Sequence, residues 1–372
     1  IYNPTAPVYS DDPLFDLSGG GYYEANFIDY ANPVAALEQN NHDLETKRLN
    51  IVGSAEYEII KGLKFLVRYA QQTSSNFEQA YLPRNSYHSR NFLGVSGFAR
   101  GGYGFKGDFE TFTQLYENTL SYDKKLSSKL NLNALAGYSY QDFLNQGESM
   151  AGGDFVTDAS ADNLASARDF TTGRGTIVSY KNASKLVAFF GRVNLNYNNV
   201  AFLSASLRRE GATQLGENNK WGMFPAVSAG LDLSKMLNLN NVQNLKFRAS
   251  YGVTGALPAG PYQSLQSLTT SGNYFYAGNG VYLQSYVPAV NENPDLKWES
   301  KAELDFGLDI SAFSNRLTAT IDYYNRTTSD LIFQATVPVP PNPAPLKYLN
   351  VGELKSSGIE FSIGYNILRD KL

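Results

Sequence analysis

Cysteine is absent from this chain, and histidine, tryptophan and methionine number only two, two and three in 372 residues. A thiolate zinc site, a catalytic cysteine and a disulfide framework are therefore excluded. His42 and His88 are isolated from each other and read as ordinary surface or loop residues. The net charge is −4, so there is no basic footprint for DNA or RNA, and nucleic acid is not an expected partner. No run approaches the roughly 20 apolar residues of a membrane-spanning helix. The opening "IYNPTAPVYSDDP" has no initiating methionine, basic n-region or apolar h-region, so the sequence is expected to be a portion of something longer. A soluble chain of this length would ordinarily divide into domains, yet no shift in composition marks a boundary.

What is abundant is aromatic and small: 26 tyrosines, 22 phenylalanines and 32 glycines, with 42% hydrophobic residues. Their order carries the information. In "ESKAELDFGLDISAFSNRLTATIDYYNRTT", Ala302, Leu304, Phe306, Leu308 and Ile310 share one parity, and Glu303, Asp305, Gly307 and Asp309 share the other. This is the two-residue period of a β-strand. Leu317, Ala319, Ile321 and Tyr323 repeat it against Thr318, Thr320, Asp322 and Tyr324, after a short Ser314-Asn315-Arg316 connection suited to a hairpin.

The same alternation returns along the chain. Ile51 to Ile59 and Leu63 to Tyr69 flank a Lys61-Gly62 turn, and Val187 to Tyr197 and Ala201 to Leu207 flank Asn198-Asn199. Residues 129 to 141, 225 to 235, 244 to 255 and 358 to 368 add more, for roughly eleven strands by this period. Tight turns at Lys61-Gly62, Leu126 to Ser128, Asn198-Asn199 and Ser314 to Arg316 alternate with long connections near 76–100, 149–184, 256–298 and 334–348.

That asymmetry predicts an all-β transmembrane antiparallel barrel, with short periplasmic turns, long extracellular loops, apolar residues toward lipid and polar residues toward the lumen. A soluble sandwich, the competing reading, keeps its apolar side inward and turns every 8 to 12 residues. Tyr138, Tyr140, Tyr197, Tyr251, Tyr323 and Tyr324 near strand ends suit the headgroup level, although aromatic-rich core strands would look similar.

Several blocks bear a specific resemblance. "NPDLKWES" (293 to 300) with the strands after it, "SLRREGATQLGENNKWGMFPAVSAG" (206 to 230), "LKFRASYGVTG" (245 to 255), "NVGELKSSGIEFSIGYNIL" (350 to 368) and "NPVAALEQNNHDLETKRLNIVGSAEYEIIKGLKF" (32 to 65) occur in family order. Together they resemble the SusC-like (RagA-type) TonB-dependent outer-membrane transporters of Bacteroidetes. One departure is Ala212-Thr213-Gln214-Leu215, where the family commonly continues Ser-Ser-aromatic.

The resemblance implies that residues 1–372 are part of a single mid-barrel wall domain. A plug domain and TonB box would precede it, and closing strands would complete a barrel of about 22 strands. It implies active nutrient import, of glycans first and peptides second, with TonB, a SusD-like surface lipoprotein and the lipid bilayer as partners and no cofactor. A passive porin or adhesin-like anchor is the alternative from another class, and a soluble β-rich binding module is a third.

For cargo contact, Tyr274, Phe275, Tyr276, Tyr282 and Tyr286 beside Asn273 and Asn279 mix rings for stacking on sugars with amides for their hydroxyls. Packing of those rings against neighbouring loops is the plainer alternative. On the polar parity, Arg192, Arg208, Arg248, Glu303, Asp305 and Asp309 are expected to face the lumen, where mutual pairing competes with contact to plug or cargo. "VPVPPNPAP" (337 to 345) reads as a stiff polyproline-like loop. The sequons at Asn182 and Asn325 are read as chance.

Catalytic patterns are sparse. Carboxylates at 303, 305 and 309 share a strand face, with alternate residues about 7 Å apart, a spacing compatible with acid–base pairing or a hard cation. No Ser-His-Asp set, GxSxG or HExxH accompanies them, and "GGGYYE" near 19 to 24 follows no strand and opens no helix, which denies it a phosphate-binding role. No metal and no catalytic residue is assigned.

Overall fold

A computed structural model describes residues 4–16, 20–24, 32–84, 86, 89, 101–237, 239, 241–276 and 280–367, with backbone alone for 160, 271–276, 281 and 282. A short helix, Pro33–Gln39, capped by the Asn32 side chain, leads into β1 (Asn41–Ile60). The strands that follow are β2 (Leu63–Leu82), β3 (Tyr103–Lys125), β4 (Leu130–Gly153), β5 (Thr176–Tyr197), β6 (Ala201–Ala212), β7 (Trp221–Asp232) and β8 (Val242–Ala256). Beyond them come β9 (Ser267–Tyr276), β10 (Val281–Asn291), β11 (Glu299–Ala312), β12 (Leu317–Ser329), β13 (Ile332–Thr336), β14 (Leu346–Asn350) and β15 (Glu353–Tyr365).

Eleven of these form one sheet in the order β1-β2-β3-β4-β5-β6-β7-β8-β11-β12-β15, in agreement with the number of strands read from the sequence. The other four make a second sheet, β13-β14-β10-β9. These four correct the sequence reading, which left 256–298 and 334–348 as loops. The proline-rich stretch is corrected with them: it folds back as the β13–β14 connection, Val337 N donating to Pro345 O at 2.8 Å, rather than running extended.

The tight turns stand where the pattern put them, because their residues tolerate the backbone a hairpin needs. Asn198 and Asn199 adopt φ of 50° and 55° and Gly62 one of 84°, the left-handed region in which Asn and Gly are least strained. At the long-loop end, β1–β5 run 20, 20, 23, 24 and 22 residues. A tilted strand crosses a bilayer in about 9–11, and the strands run on into the stretches assigned to connections, over 76–82, 149–153 and 176–184.

The chain groups into two compact units. The first comprises Ile1–Ile51, Gln71–Thr113 and Phe143–Ala183. Its core gathers Tyr81, Phe155, Leu164 and Ala167, with Ala161 and Phe170 packed against them. Residues 154–175, between β4 and β5, form an ordered cap of three 3-10 turns over this core. Asp158 accepts from the Tyr81 hydroxyl and the Arg84 amide, each at 2.9 Å. The fully buried Asp169 accepts from Gly153 N at 2.7 Å and pairs with Arg174 Nε at 3.0 Å, which offsets the cost of burying its charge.

The second unit comprises Val52–Ala70, Gln114–Asp142 and Ser184–Leu372. Its small core, Ala212, Leu215 and Trp298 with Leu186, Phe224 and Leu257 around it, sits at the long-loop end of the sheet. Phe224 meets Trp298 edge-on with centroids 5.2 Å apart, an arrangement that adds about 0.5–1.5 kcal/mol to area burial.

Three of the blocks that carry the family resemblance converge at this core. Gly216 N donates to Leu296 O at 2.9 Å, and Asn218 and Asn219 bond Asp295 through their side chains at 2.8 and 3.0 Å. Asn350 exchanges hydrogen bonds with both backbone groups of Lys297, at 2.9 Å each, and Asn293 donates to Tyr348 O at 2.8 Å. Side-chain amides here satisfy backbone groups that no ladder reaches. The motifs thus describe a clamp at the long-loop end of the sheet.

Candidate functional site

The main sheet is inverted relative to a soluble protein. Along β7 the exposed parity carries Met223, Pro225, Val227, Ala229 and Leu231, and the shielded parity carries Gly222, Phe224, Ala226, Ser228, Gly230 and Asp232. Val227 is 47% exposed, Leu207 46%, Phe247 41% and Ile321 40%, each on the same side of its strand as its apolar mates. An apolar stripe of this extent has to be covered by something other than water.

The opposite face is built in transverse rows, because antiparallel partners in register point the same way. Asn194, Ser204, Ser228, Ser250 and Asp305 are successive partners across β5, β6, β7, β8 and β11. Ser204 Oγ donates to Asn194 Oδ1 at 2.6 Å, and Asn194 Nδ2 continues to Asn133 Oδ1 at 3.0 Å. Small side chains leave a hollow of about 370 Å³ over this row, bordered by Lys246 and Arg248.

One row nearer the tight turns, Arg248, Gly307 and Asp322 lie side by side on β8, β11 and β12. Arg248 grips Asp309 with two bonds, 2.8 and 3.1 Å, reaches Asp322 at 2.8 Å and stands 4.0 Å from Asp305. One row the other way, Arg326 grips Glu303 at 2.9 and 3.1 Å. Paired Arg–carboxylate forks of this kind fix side-chain geometry as well as charge.

Of the residues expected on the polar face, Arg248, Asp305 and Asp309 are therefore brought together and Glu303 is held by a neighbour. Arg208 pairs with Glu210 of its own strand at 2.7 Å and lies over the Phe190 ring at 5.5 Å. Arg192 is exposed on β5, opposite Ser206. Sequence reasoning missed Arg326 and Lys246 as members of this face, although the parity of their strands carries them. Asp322 and Tyr324 stand on it as their parity put them, Tyr324 over Gly358 and so apart from Tyr323 on the apolar side.

The expected cargo-binding group is placed differently. Asn273, Tyr274, Phe275 and Tyr276 belong to β9 and Tyr282 and Tyr286 to β10, so they stand on a hairpin of the second sheet and not in a loop. Phe275 is the direct partner of Tyr282, Tyr274 of Leu283 and Asn273 of Gln284. Tyr286 is 64% exposed opposite Thr270. Asn279 and His88 lie outside the described residues. His42 is exposed on β1, 2.7 Å from Glu78. Among the described residues, no group of three or more His, Asp or Glu side chains is arranged to hold a metal ion.

Residues 2–370 match the family described as TonB dependent receptor-like, beta-barrel. The chain belongs to that family. It is 32% identical over 374 residues to TonB-dependent receptor P3 of Formosa agariphila, covering 97% of this chain and 34% of the relative. It is 27% identical to TonB-dependent receptor SusC of Bacteroides thetaiotaomicron, covering 97% and 36%. In fold it matches the RagAB peptide importer in its "open-open" state, with a TM-score of 0.79, 22% identity and coverage of 98% and 41%.

The chain thus spans about a third of the length of the curated relatives it matches. Proteins of this family lie in the outer membrane of Gram-negative bacteria, and this one is an outer-membrane protein. That location accounts for the exposed apolar parity, which hydrocarbon covers, and leaves the rows of serine, asparagine and ion pairs for the opposite face. The resemblance to SusC-like transporters read from five sequence blocks is borne out by these matches.

Proposed function

We propose that this chain is part of the wall of a TonB-dependent importer, a single barrel domain whose polar rows face a wet lumen and whose cargo is a hydrophilic oligomer, a glycan in the first instance. The observation that carries this is the row Asn194–Ser204–Ser228–Ser250–Asp305: one amide and three hydroxyls on successive strands, ending at a carboxylate beside Arg248. Such a surface exchanges hydrogen bonds with a hydroxyl-rich solute, and the charge at its end is offset by the Arg248 guanidinium 4.0 Å away.

The hairpin of β9 and β10, with Asn273, Tyr274, Phe275, Tyr276, Asn279, Tyr282 and Tyr286, supplies the aromatic and amide chemistry suited to first capture. Arg192, Arg208, Arg248, Glu303, Asp305 and Asp309 act as wall residues; Arg248 offsets Asp309 and Asp305, while Glu303 and Arg208 are paired by Arg326 and Glu210. A SusD-like lipoprotein at the outer face and TonB, acting through a plug in the complete protein, are the implied partners. No bond-making step is required of any of these residues.

A peptide cargo is the second reading. It is favoured by the alternation of guanidinium and carboxylate rows, Arg248 with Asp309 and Asp322 and Arg326 with Glu303, which suits a zwitterionic solute. Deletion of the full-length gene and growth on a panel of oligosaccharides and peptides as sole nutrients separates the two. Loss of growth on one glycan class supports the first reading, loss on peptides alone the second, and unaltered growth on every nutrient contradicts import.

A further inference from the structure

On the apolar side of the sheet, where the hydrocarbon-facing stripe gives out, one cation stands among rings. Arg209 is the ninth residue of β6 counted from the tight turn, about the distance at which a tilted strand leaves the bilayer core. Below it on the same face are Leu203, Ala205 and Leu207. Its partners across the ladder are Phe189 and Met223. The guanidinium lies 4.8 Å from the centre of the Trp221 ring.

That ring is held flat by its neighbours. Trp221 lies over Gly211, where an added Cβ would come within 2.9 Å of it, and stacks on Phe189 at 6.3 Å, which in turn meets Tyr138 at 5.3 Å. Among the described residues no carboxylate pairs with Arg209, whereas Arg208, its neighbour on the other face, has Glu210 at 2.7 Å. A charge left at the membrane boundary without a counter-ion from its own chain is costly unless the surroundings supply one. The long connections place this end on the extracellular side.

We propose that Arg209, braced by Trp221, Phe189 and Tyr138, binds the phosphate of a phosphorylated glycolipid in the outer leaflet, whose acyl chains lie along Leu207, Leu203 and Met223. The planar fork of arginine suits a phosphate better than a lysine point charge does, and the rings occupy the headgroup level at which aromatic belts sit. The site lies on the outside of the wall. It rests on the barrel reading and is independent of what the barrel carries.

The test uses the full-length protein in mixed micelles titrated with purified lipid A, with lipid A stripped of phosphate, and with inorganic phosphate, and read by native mass spectrometry. Wild-type protein should retain lipid A about five-fold more strongly than the dephosphorylated lipid, as expected for one basic contact at an anionic surface. Arg209→Gln should abolish that preference and Arg209→Lys should keep part of it, while inorganic phosphate should not displace the lipid. Equal retention by wild type and Arg209→Gln, or equal binding of the two lipids by wild type, overturns the proposal. Nutrient uptake by Arg209→Gln cells should be normal, which separates failure of the lipid site from failure of the import reading.

Discussion

Arg248 on β8 reaches Asp322 on β12 across the whole width of the intervening strand, with Nη2 and Oδ1 2.8 Å apart. Two strands of a sheet separated by a third are too far apart for ordinary partners to touch, at about 4.8 Å per strand step. The contact exists because β11 has glycine at 307 in the same row. A Cβ there would lie 2.4 Å from Asp322 Oδ1 and 2.6 Å from Arg248 Cζ.

Gly307→Ala is accordingly expected to part Arg248 from Asp322 while leaving the fork to Asp309, because the obstructing atoms are ends of flexible side chains that can move aside. Both partners are partly solvated, so the loss should be on the order of 1 kcal/mol. Urea unfolding of the full-length protein in vesicles would measure it. In an Asp322→Asn background the same glycine replacement should cost much less, and equal costs in the two backgrounds would show that the pair is not coupled through Gly307.

Gly216 presents the opposite case. A Cβ there would meet the Pro294 carbonyl oxygen at 2.2 Å and its carbon at 2.4 Å, and backbone cannot step aside as a side chain can. Gly216→Ala should therefore spread the clamp formed by 213–220 and 293–298. The expected cost is about 1–3 kcal/mol, as for other overpacked sites, seen as faster proteolysis of these two segments at unchanged strand content. Unaltered proteolysis would mean that the clamp is not closely packed.

These two glycines also show where sequence reasoning succeeds and stops. The period of two in residues 299–328 fixes strand, face and turn, because a one-residue slip would expose every wrong side chain to lipid. It does not fix which residue of β8 stands beside which of β11. That offset decides that Arg248 shares a row with Gly307 and Asp322, and nothing local to residues 245–255 encodes it. The hairpin of β9 and β10 escaped notice for another reason: its register shifts at Gln284/Tyr286 and Pro288/Val290 break the alternation. The far end of β2 escaped because "QQTSSNFEQA" is polar at almost every position, so no apolar parity reveals the strand.

Acid should loosen the turn between β7 and β8 before it affects the wall. Burial resists ionisation of Asp232, but hydrogen bonds from Lys235 and Ser234 outweigh it and hold the carboxyl below the usual carboxylate range. Lys235 Nζ is 2.8 Å away, at the tight-turn end and outside the span. With the folded pKa depressed, the stabilisation is fully present above the ordinary aspartate value. It is lost as pH falls through the lower, folded one. Protection of the amides in the helix Leu233–Leu237, taken relative to the intrinsic exchange rate at each pH, should fall on acidification below about pH 4, and in Asp232→Asn it should be low already at neutral pH and change little with acid. Protection that ignores pH in the native protein would disconnect Asp232 from the stability of this turn.

The membrane orientation is testable at two adjacent residues. Val227 is 47% exposed among apolar neighbours, and Ser228 sits between Ser204 and Ser250 in the polar row. Successive residues of a strand point to opposite sides, so spin labels at Val227→Cys and Ser228→Cys in the full-length protein, reconstituted in lipid, sample the two faces at one depth. Oxygen dissolved in the bilayer should relax the label at 227, and a water-soluble nickel complex should reach 228 more readily than 227. The same alternation should hold at Ala205 and Ser206 on β6, where the apolar parity continues. If oxygen instead found 228 and spared 227, the serine row would lie against hydrocarbon, each of its hydroxyls at a cost of roughly 1–3 kcal/mol, and both the lumenal path and the lipid site at Arg209 would have to be abandoned together.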